Sequence, residues 1–134
     1  MNFTITRKLH FQHGRRRRRK IKSGEAPKRP TARTSHISRL MALAIHFQQM
    51  LAAGHVGDLA TLARYGQVSR VRITQVMNLL FLAPDIQEKL LNLPKTTKGR
   101  DKIACAKLQP IALEPDWNIQ RQMWDESFGD ILQK

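Results

Sequence analysis

The chain has 134 residues, which suits one small domain with tails and leaves little room for two independent cores. It holds 24 Lys and Arg against 10 Asp and Glu, and the net charge of +14 favours a polyanionic partner, either nucleic acid or an anionic membrane surface. No run approaches the roughly 20 apolar residues of a membrane span, and the N-terminus lacks the apolar core of a signal peptide, so we expect a cytoplasmic protein without a membrane partner.

Most of the positive charge lies in an N-terminal arm, residues 1 to 34, with 12 Lys and Arg and one Glu. Its start, NFTITRKLHF, alternates apolar and polar residues with a break near Arg7, which indicates a short strand. Glycines and prolines then disfavour a helix, so we expect a mostly extended arm, disordered or folded as a loose hairpin until a partner binds. We interpret its adjacent cations as phosphate-binding residues, with a solubilising or targeting tail as the alternative: Arg15, Arg16, Arg17, Arg18, Arg19 and Lys20.

The first predicted helix follows Thr34 or Ser35, either of which fits an N-cap, and ends near Gly54. Its apolar stripe consists of Ile37, Leu40, Ala44, Phe47 and Leu51.

Two shorter helices should follow. Asp58 fits the N-cap of a helix that Gly66 ends, and Ser69 fits the N-cap of the next. Two helices separated by about four residues with a glycine in the turn have the spacing of a helix-turn-helix. Pro84 then suits the first position of a further helix, which ends before Pro94.

The stretch VSRVRITQVMN, residues 68 to 78, is the candidate reading element. A 3.6-residue period predicts a buried stripe of Ile73, Val76 and Leu80, continued by Val68. A different face should display Val71, Thr74, Gln75 and Asn78. Amides and hydroxyls bond adenine edges in the major groove, and a methyl group contacts thymine.

Arg70 and Arg72 lie in the first turn of this helix, where an arginine either binds guanine or anchors a phosphate. The sequence leaves both roles open. The alternative for the whole segment is an ordinary three-helix core with a polar outer surface.

The segment LATLARYGQVSRVRITQVMNLLFLAPDIQEKLLNLP resembles the helix-turn-helix region of ParB/KorB-type DNA-binding proteins. Together with ISRLMALAIHF and EPDWNIQRQMW, it also resembles small proteins encoded with serine site-specific recombinases on phages and other mobile elements. The likeness covers about residues 36 to 124. It implies a tri-helical DNA-binding core with Ser69 to Leu80 as the recognition helix, which presents to DNA Ser69, Arg70, Thr74, Gln75 and Asn78. One departure concerns the turn: Gln67 stands where many such proteins have a glycine directly before the "VS" pair.

The C-terminal part begins with a polar connector, residues 95 to 102, and a weak helix that should stop at Pro110. A last helix should follow Pro115, with one side formed by Trp117, Gln120 or Arg121, Trp124, Phe128 and Leu132. Trp117 and Trp124 either pack on the core or form a protein-binding face for a second copy or a recombinase.

Nothing in the sequence indicates catalysis. Phosphate-loop and zinc-protease motifs are absent, and the single Cys105 allows no internal disulfide. Tyr65 has Arg64 as its only nearby cation in the sequence, whereas a tyrosine recombinase surrounds its nucleophilic tyrosine with several Arg and His residues. The five histidines show no metal-ligand spacing. We therefore expect no enzymatic activity, metal or cofactor.

The sequence thus predicts an all-α fold: a basic arm (1–34), a helix-turn-helix domain (35–94), and a connector with a C-terminal helix (95–134). The expected function is sequence-specific binding of double-stranded DNA in the nucleoid, as an accessory or regulatory factor of site-specific recombination or of a mobile element. Two alternatives are open: an RNA-binding or ribosome-associated basic protein, and a protein adaptor acting through the C-terminal helix.

Overall fold

A computed structural model of the protein describes residues 2–13, 19–26 and 32–132. The chain forms two compact units, Met1–Thr31 and Ala32–Lys134. The described residues are mostly helical, with six α-helices, one 3-10 helix and a two-stranded sheet. The predicted predominance of helices is therefore confirmed, and the small sheet lies in the arm that was expected to be mostly extended. Arg15, Arg16, Arg17 and Arg18 of the predicted phosphate-binding run lie outside the described residues.

The first unit contains an antiparallel hairpin of β1 (Leu9–His13) and β2 (Arg19–Ser23). Phe11 pairs with Ile21 across the hairpin, and His10 pairs with Lys22. Because side chains alternate along a strand, the first pair shares one face and the second pair the other. The hairpin alternative of the sequence analysis is confirmed, although the strand begins at Leu9 and not at the start of the alternating run.

The second unit contains six α-helices and the 3-10 helix among its described residues: α1 (His36–Ala52), α2 (Leu59–Gly66), α3 (Arg70–Asn78), the 3-10 helix (Leu79–Phe81), α4 (Pro84–Leu91), α5 (Cys105–Ala112) and α6 (Trp117–Leu132). The helices predicted in residues 35 to 94 are confirmed, including the start of α4 at Pro84. In α3 the buried stripe ends on Leu79 and not on Leu80, because the chain tightens into the 3-10 helix after Asn78. Val68, predicted to continue the stripe, is exposed.

One hydrophobic core joins both ends of this unit. Its largest fully buried apolar side chains come from α1, from the segment of the 3-10 helix and α4, and from α5 and α6: Ile37, Met41, Leu79, Leu82, Ile86, Leu90, Leu108, Ile111, Trp124 and Phe128. The C-terminal helices are therefore an integral part of the packing that supports residues 35 to 94.

The two tryptophans of α6 have different surroundings. Trp124 is 1% exposed and stacks at a tilt on Phe128, with ring centroids 5.0 Å apart, whereas Trp117 is 49% exposed. Of the two alternatives for the tryptophans, packing on the core is confirmed for Trp124, while a protein-binding face at Trp117 stays a prediction. Trp124 and Phe128 are four residues apart and face the core together, while Trp117 lies at the first position of the helix.

Pro110 does not end α5, which continues to Ala112. A proline inside a helix leaves the carbonyl four residues earlier, here that of Ala106, without its amide partner. Ala106 and Pro110 are both exposed, so water can take the missing donor's place. The prediction that the helix stops at Pro110 is therefore wrong, because the lost hydrogen bond lies on the exposed side of α5 and does not end the helix.

The start of α1 is capped from a distant part of the chain. Ser35 occupies the N-cap position but makes no side-chain capping bond; instead, the Oδ2 atom of Asp101 accepts a hydrogen bond from the backbone N–H of His36 at 2.7 Å. Asp101 also accepts from the Thr96 hydroxyl at 3.1 Å and pairs with Arg33 at 3.5 Å. The hydrogen bond from the His36 N–H is the largest effect on the pKa of Asp101 and lowers it. Burial raises this pKa and the Thr96 hydroxyl lowers it, and the net result is a pKa below the ordinary value.

We expect Asp101→Asn to lower the free energy of unfolding by about 1 kcal/mol at pH 7, because the amide keeps a capping acceptor but loses the charge that strengthens the hydrogen bonds of the carboxylate. Because the pKa of Asp101 is lowered in the folded state, its stabilisation is complete above the unfolded value of 3.8 and is lost as pH falls through the folded value. Urea unfolding from pH 7 to pH 3 should show the variant converging on the parent. Asp125→Asn, an exposed change on α6, is the control; a pH-independent difference at Asp101 would contradict this account.

The turn between α2 and α3 contains a left-handed residue that is not glycine. Gln67 has φ 52° and, among the described residues, is the only non-glycine residue with positive φ. The N–H groups of Gln67 and Val68 bond the Arg64 and Ala63 carbonyls at 3.2 and 3.1 Å, which closes the end of α2. Gly66, predicted to end this helix, is its last residue, and the strained position comes one residue later.

Gln67→Gly should raise the free energy of unfolding by about 0.5–1 kcal/mol, because glycine adopts this conformation without the clash of a Cβ atom. Gln67→Ala removes the same polar group but keeps the Cβ, and should give no such gain. Chemical denaturation of the two variants measures the difference, and equal stabilities would show that the turn carries no strain.

Candidate nucleic-acid interface

The pair α2–α3 is organised by local capping bonds around a three-residue turn, Gln67 to Ser69. The Oδ1 atom of Asp58 accepts from the N–H of Thr61 at 2.7 Å, and the Oγ atom of Ser69 accepts from the N–H of Arg72 at 3.1 Å. Hydrogen bonds from Thr61 hold the pKa of Asp58 below its ordinary value. Both predicted caps, Asp58 and Ser69, are confirmed.

The first half of α3 has an exposed outer face, defined here as Arg70, Val71 and Thr74. Val71, an aliphatic residue in the first turn of α3, is 66% exposed. The Thr74 hydroxyl donates to the Arg70 carbonyl at 3.0 Å, so an outside partner meets an acceptor oxygen and a methyl group. The outer face therefore offers one cation, one hydroxyl oxygen and methyl groups.

Arg72 and Gln75 lie at the edge of this face and are half-buried. An Nη atom of Arg72 lies 3.3 Å from Nε2 of His36, at the start of α1, and the other Nη donates to Oε1 of Gln75 at 3.5 Å. These contacts hold the Arg72 guanidinium between His36 at the start of α1 and Gln75 on its own helix.

Asn78 is covered by α5. Its Nδ2 atom donates to Oε1 of Gln109 at 3.0 Å, and Nε2 of Gln109 donates to the carbonyl of Gln75 at 2.9 Å. On a helical projection Asn78 falls near Val71 and Thr74, but it lies at the end of α3 that α5 packs against. Asn78 and Gln75, both predicted on the exposed face, are therefore half-buried, and the Asn78 amide is engaged by Gln109.

The structure thus divides the six residues predicted on α3. Ser69, Arg70 and Thr74 are exposed together, whereas Arg72, Gln75 and Asn78 make contacts with α1 or α5. In the first unit, Lys20 is exposed on β2, which begins at Arg19. That any of these residues contacts DNA stays a prediction.

A buried amide that the sequence analysis did not identify fixes the segment after α3. Gln120 on α6 is fully buried; its Oε1 atom accepts from the N–H of Ala83 at 2.7 Å, and Nε2 donates to the carbonyls of Phe81 and Glu114 at 3.0 and 2.7 Å. Ala83 is the N-cap of α4 and has no capping side chain, so Gln120 supplies the acceptor. The signal in the sequence was a glutamine within the apolar stripe of α6.

Two further bonds hold α4 in place. Arg121, next to Gln120, forks onto both carboxylate oxygens of Asp85 at 3.1–3.2 Å. The guanidinium holds the pKa of Asp85 below its ordinary value. The carboxylate in turn holds the pKa of Arg121 above its ordinary value. At the other end of α4, the buried Ser38 hydroxyl donates to the carbonyl of Leu90 at 2.6 Å.

The charged side chains within α2, the turn and α3 have one sign. Residues 59 to 84 contain three arginines and neither Asp nor Glu. Arg64 and Tyr65, at the end of α2, are exposed, Tyr65 to 81%. The surface formed by α2, the turn and α3 is therefore suited to a negatively charged partner.

Other site types find no support in the part of the chain that the structure describes. No group of His, Cys, Asp or Glu side chains there is placed to hold a metal ion, and no helix there has the length and apolar character to cross a bilayer. No protein-family model, curated protein or solved structure matches the chain.

Gln120→Leu should lower the free energy of unfolding by about 3 kcal/mol or more, because it leaves three backbone groups without their partner. Gln109→Leu removes a half-buried amide whose partners can bond water instead. This change should lower the free energy of unfolding by about 1 kcal/mol. Urea denaturation of both variants measures the difference. Equal losses would contradict the assignment of Gln120 as the main polar link between α4 and α6.

Proposed function

We propose that this protein binds double-stranded DNA sequence-specifically, with α2, the turn and α3 acting as a helix-turn-helix and the first two turns of α3 entering the major groove. One observation carries the proposal: the outer face of α3 is exposed and uncharged except for Arg70, while the opposite side of the same helix is anchored in the core. A helix that is rigid on one side and exposed on the other suits insertion into a groove.

The groups of the outer face match base edges. Val71 and the methyl of Thr74 suit the thymine methyl, the Thr74 oxygen accepts from adenine N6 or cytosine N4, and Arg70 reaches guanine or a phosphate. Arg72, oriented by His36, and Ser69, beside the free N–H groups of the first turn, contact the DNA backbone in this proposal. Gln75 reads from the edge of the face, and Asn78 supports α3 through Gln109.

The basic arm adds affinity without specificity. It carries Arg15 to Lys20 and the exposed Lys22 of the hairpin, and cations of this density release counterions when they meet a phosphate backbone. In this division of roles, α3 selects the sequence and the arm holds the duplex.

The resemblance of residues 59 to 94 to ParB/KorB-type proteins, and of about residues 36 to 124 to recombinase-associated proteins, supports this function. We extend the proposal accordingly: the protein is an accessory or regulatory factor of site-specific recombination or of a mobile element. Because a single recognition helix reads only a few base pairs, a second copy on a symmetric site is part of the proposal.

The double variant Val71→Ala with Thr74→Ala should weaken binding to the preferred duplex by about 1–3 kcal/mol and leave random duplex nearly unaffected, because base contacts supply specificity and not general affinity. Fluorescence anisotropy with both duplexes measures this. Ile119→Ala with Ser127→Ala on α6 removes a similar set of exposed groups and should change neither affinity. If the outer-face variant weakened both duplexes equally, α3 would not read bases.

Replacing Arg15 to Arg19 by glutamine should reduce the slope of log affinity against log salt concentration by about 4, because five phosphate contacts are lost. All duplex sequences should be weakened alike. Lys89→Gln with Lys107→Gln, on α4 and α5, should leave the slope unchanged. An unchanged slope in the arm variant would show that the arm does not bind phosphate, and stronger competition by structured RNA than by duplex DNA would favour the RNA-binding alternative.

A further inference from the structure

A cleft of about 300 Å³ lies between the connector that follows α4 and the end of α6. Four cations line it: Lys95, Lys98, Arg100 and Lys102. Aliphatic side chains complete the lining, among them the buried Ile103 and the half-buried Leu93 and Ile131. The proposed DNA-binding function uses none of these groups.

The cations of the cleft have no carboxylate partner among the residues that the structure describes. None of the four forms an ion pair with any residue that the structure describes. Asp101 is the single acidic residue between positions 93 and 103, and its oxygens are engaged by the N–H of His36, the hydroxyl of Thr96 and Arg33. The positive charge of the cleft is therefore available to a ligand.

We propose that this cleft binds a small organic phosphate, whose phosphate group meets the cations while its aliphatic or alicyclic body lies against the aliphatic lining. A phosphate monoester carries a charge of about −1.5 to −2 near neutral pH, so it matches several cations better than a carboxylate does. The lining holds no aromatic residue among those described, which disfavours a stacked base as the body of the ligand. The volume is at the low end of the roughly 300–1,000 Å³ of small-molecule sites, so one small ligand fills it.

The same chemistry is found in two sources, a free phosphorylated metabolite and the headgroup region of phosphatidic acid. Both place a phosphate monoester next to an aliphatic body. The experiment below separates them.

Isothermal titration calorimetry of the full chain with hexyl phosphate tests the site, with inorganic phosphate, hexanoate and hexanol as comparison ligands. Hexyl phosphate should bind more tightly than all three, because only it uses both parts of the cleft. Lys98→Ala with Lys102→Ala should weaken it at least roughly tenfold, as expected for the loss of charge-assisted hydrogen bonds. Lys89→Ala with Lys107→Ala removes two exposed lysines outside the cleft and should leave the affinity within about twofold.

Three results would overturn the proposal: a dissociation constant for hexyl phosphate above about 10 mM, equal weakening by the two lysine pairs, or equal affinities for hexyl phosphate and inorganic phosphate. The first result would mean that the cleft is not a binding site, and the second that the ligand is held only by the general positive charge of the protein. The third would mean that the aliphatic lining does not contact the ligand. None of these outcomes depends on DNA binding.

Cosedimentation with phosphatidylcholine vesicles containing phosphatidic acid then identifies the source, provided that hexyl phosphate has bound as expected. If Lys98→Ala with Lys102→Ala loses vesicle binding relative to Lys89→Ala with Lys107→Ala, the site takes the lipid. If the two pairs sediment alike, the ligand is a free organic phosphate.

Discussion

The buried amide of Gln120 is the interaction on which the arrangement of the second unit depends. It makes hydrogen bonds to backbone groups on both sides of the junction between the 3-10 helix and α4. Because Gln120 belongs to α6, these bonds attach the junction to α6. A buried backbone group without a partner is expensive, so this junction has one stable position relative to α6. Because the 3-10 helix follows α3 directly, the same link limits how α3 lies on the core.

The consequence for function is an asymmetric α3. Its far end is covered by α5 through Asn78 and Gln109, while its first two turns expose Arg70, Val71 and Thr74. Our proposal assigns sequence recognition to this exposed end and general affinity to the basic arm. In this proposal, specificity depends on a helix held by the buried amide of Gln120 and the half-buried amides of Asn78 and Gln109, and electrostatic attraction depends on a separate unit of the chain.

What the sequence predicted correctly depended on short-range signals. Asp58, Ser69 and Pro84 act within one turn of their own helices, so their roles follow from local spacing alone. Two features that the sequence did not show depend on contacts between distant segments: Asp101 caps a helix 65 residues away, and Gln109 bonds Asn78 across 31 residues. The errors at Pro110 and Leu80 are local, because the chain kept one helix through a proline and tightened another into a 3-10 turn. Periodicity identifies the apolar face of a helix, but it does not show which neighbour covers the polar end.

Selection of binding sites from a random duplex-DNA pool, at about 150 mM salt and with structured RNA as competitor, tests the central claim most directly, because salt near this level suppresses the unspecific attraction of the arm. Our account predicts an enriched motif that disappears in the Val71→Ala, Thr74→Ala variant, and its symmetry would show whether two copies bind. If no motif emerges and RNA displaces the DNA, α3 does not read base sequence and the account is contradicted.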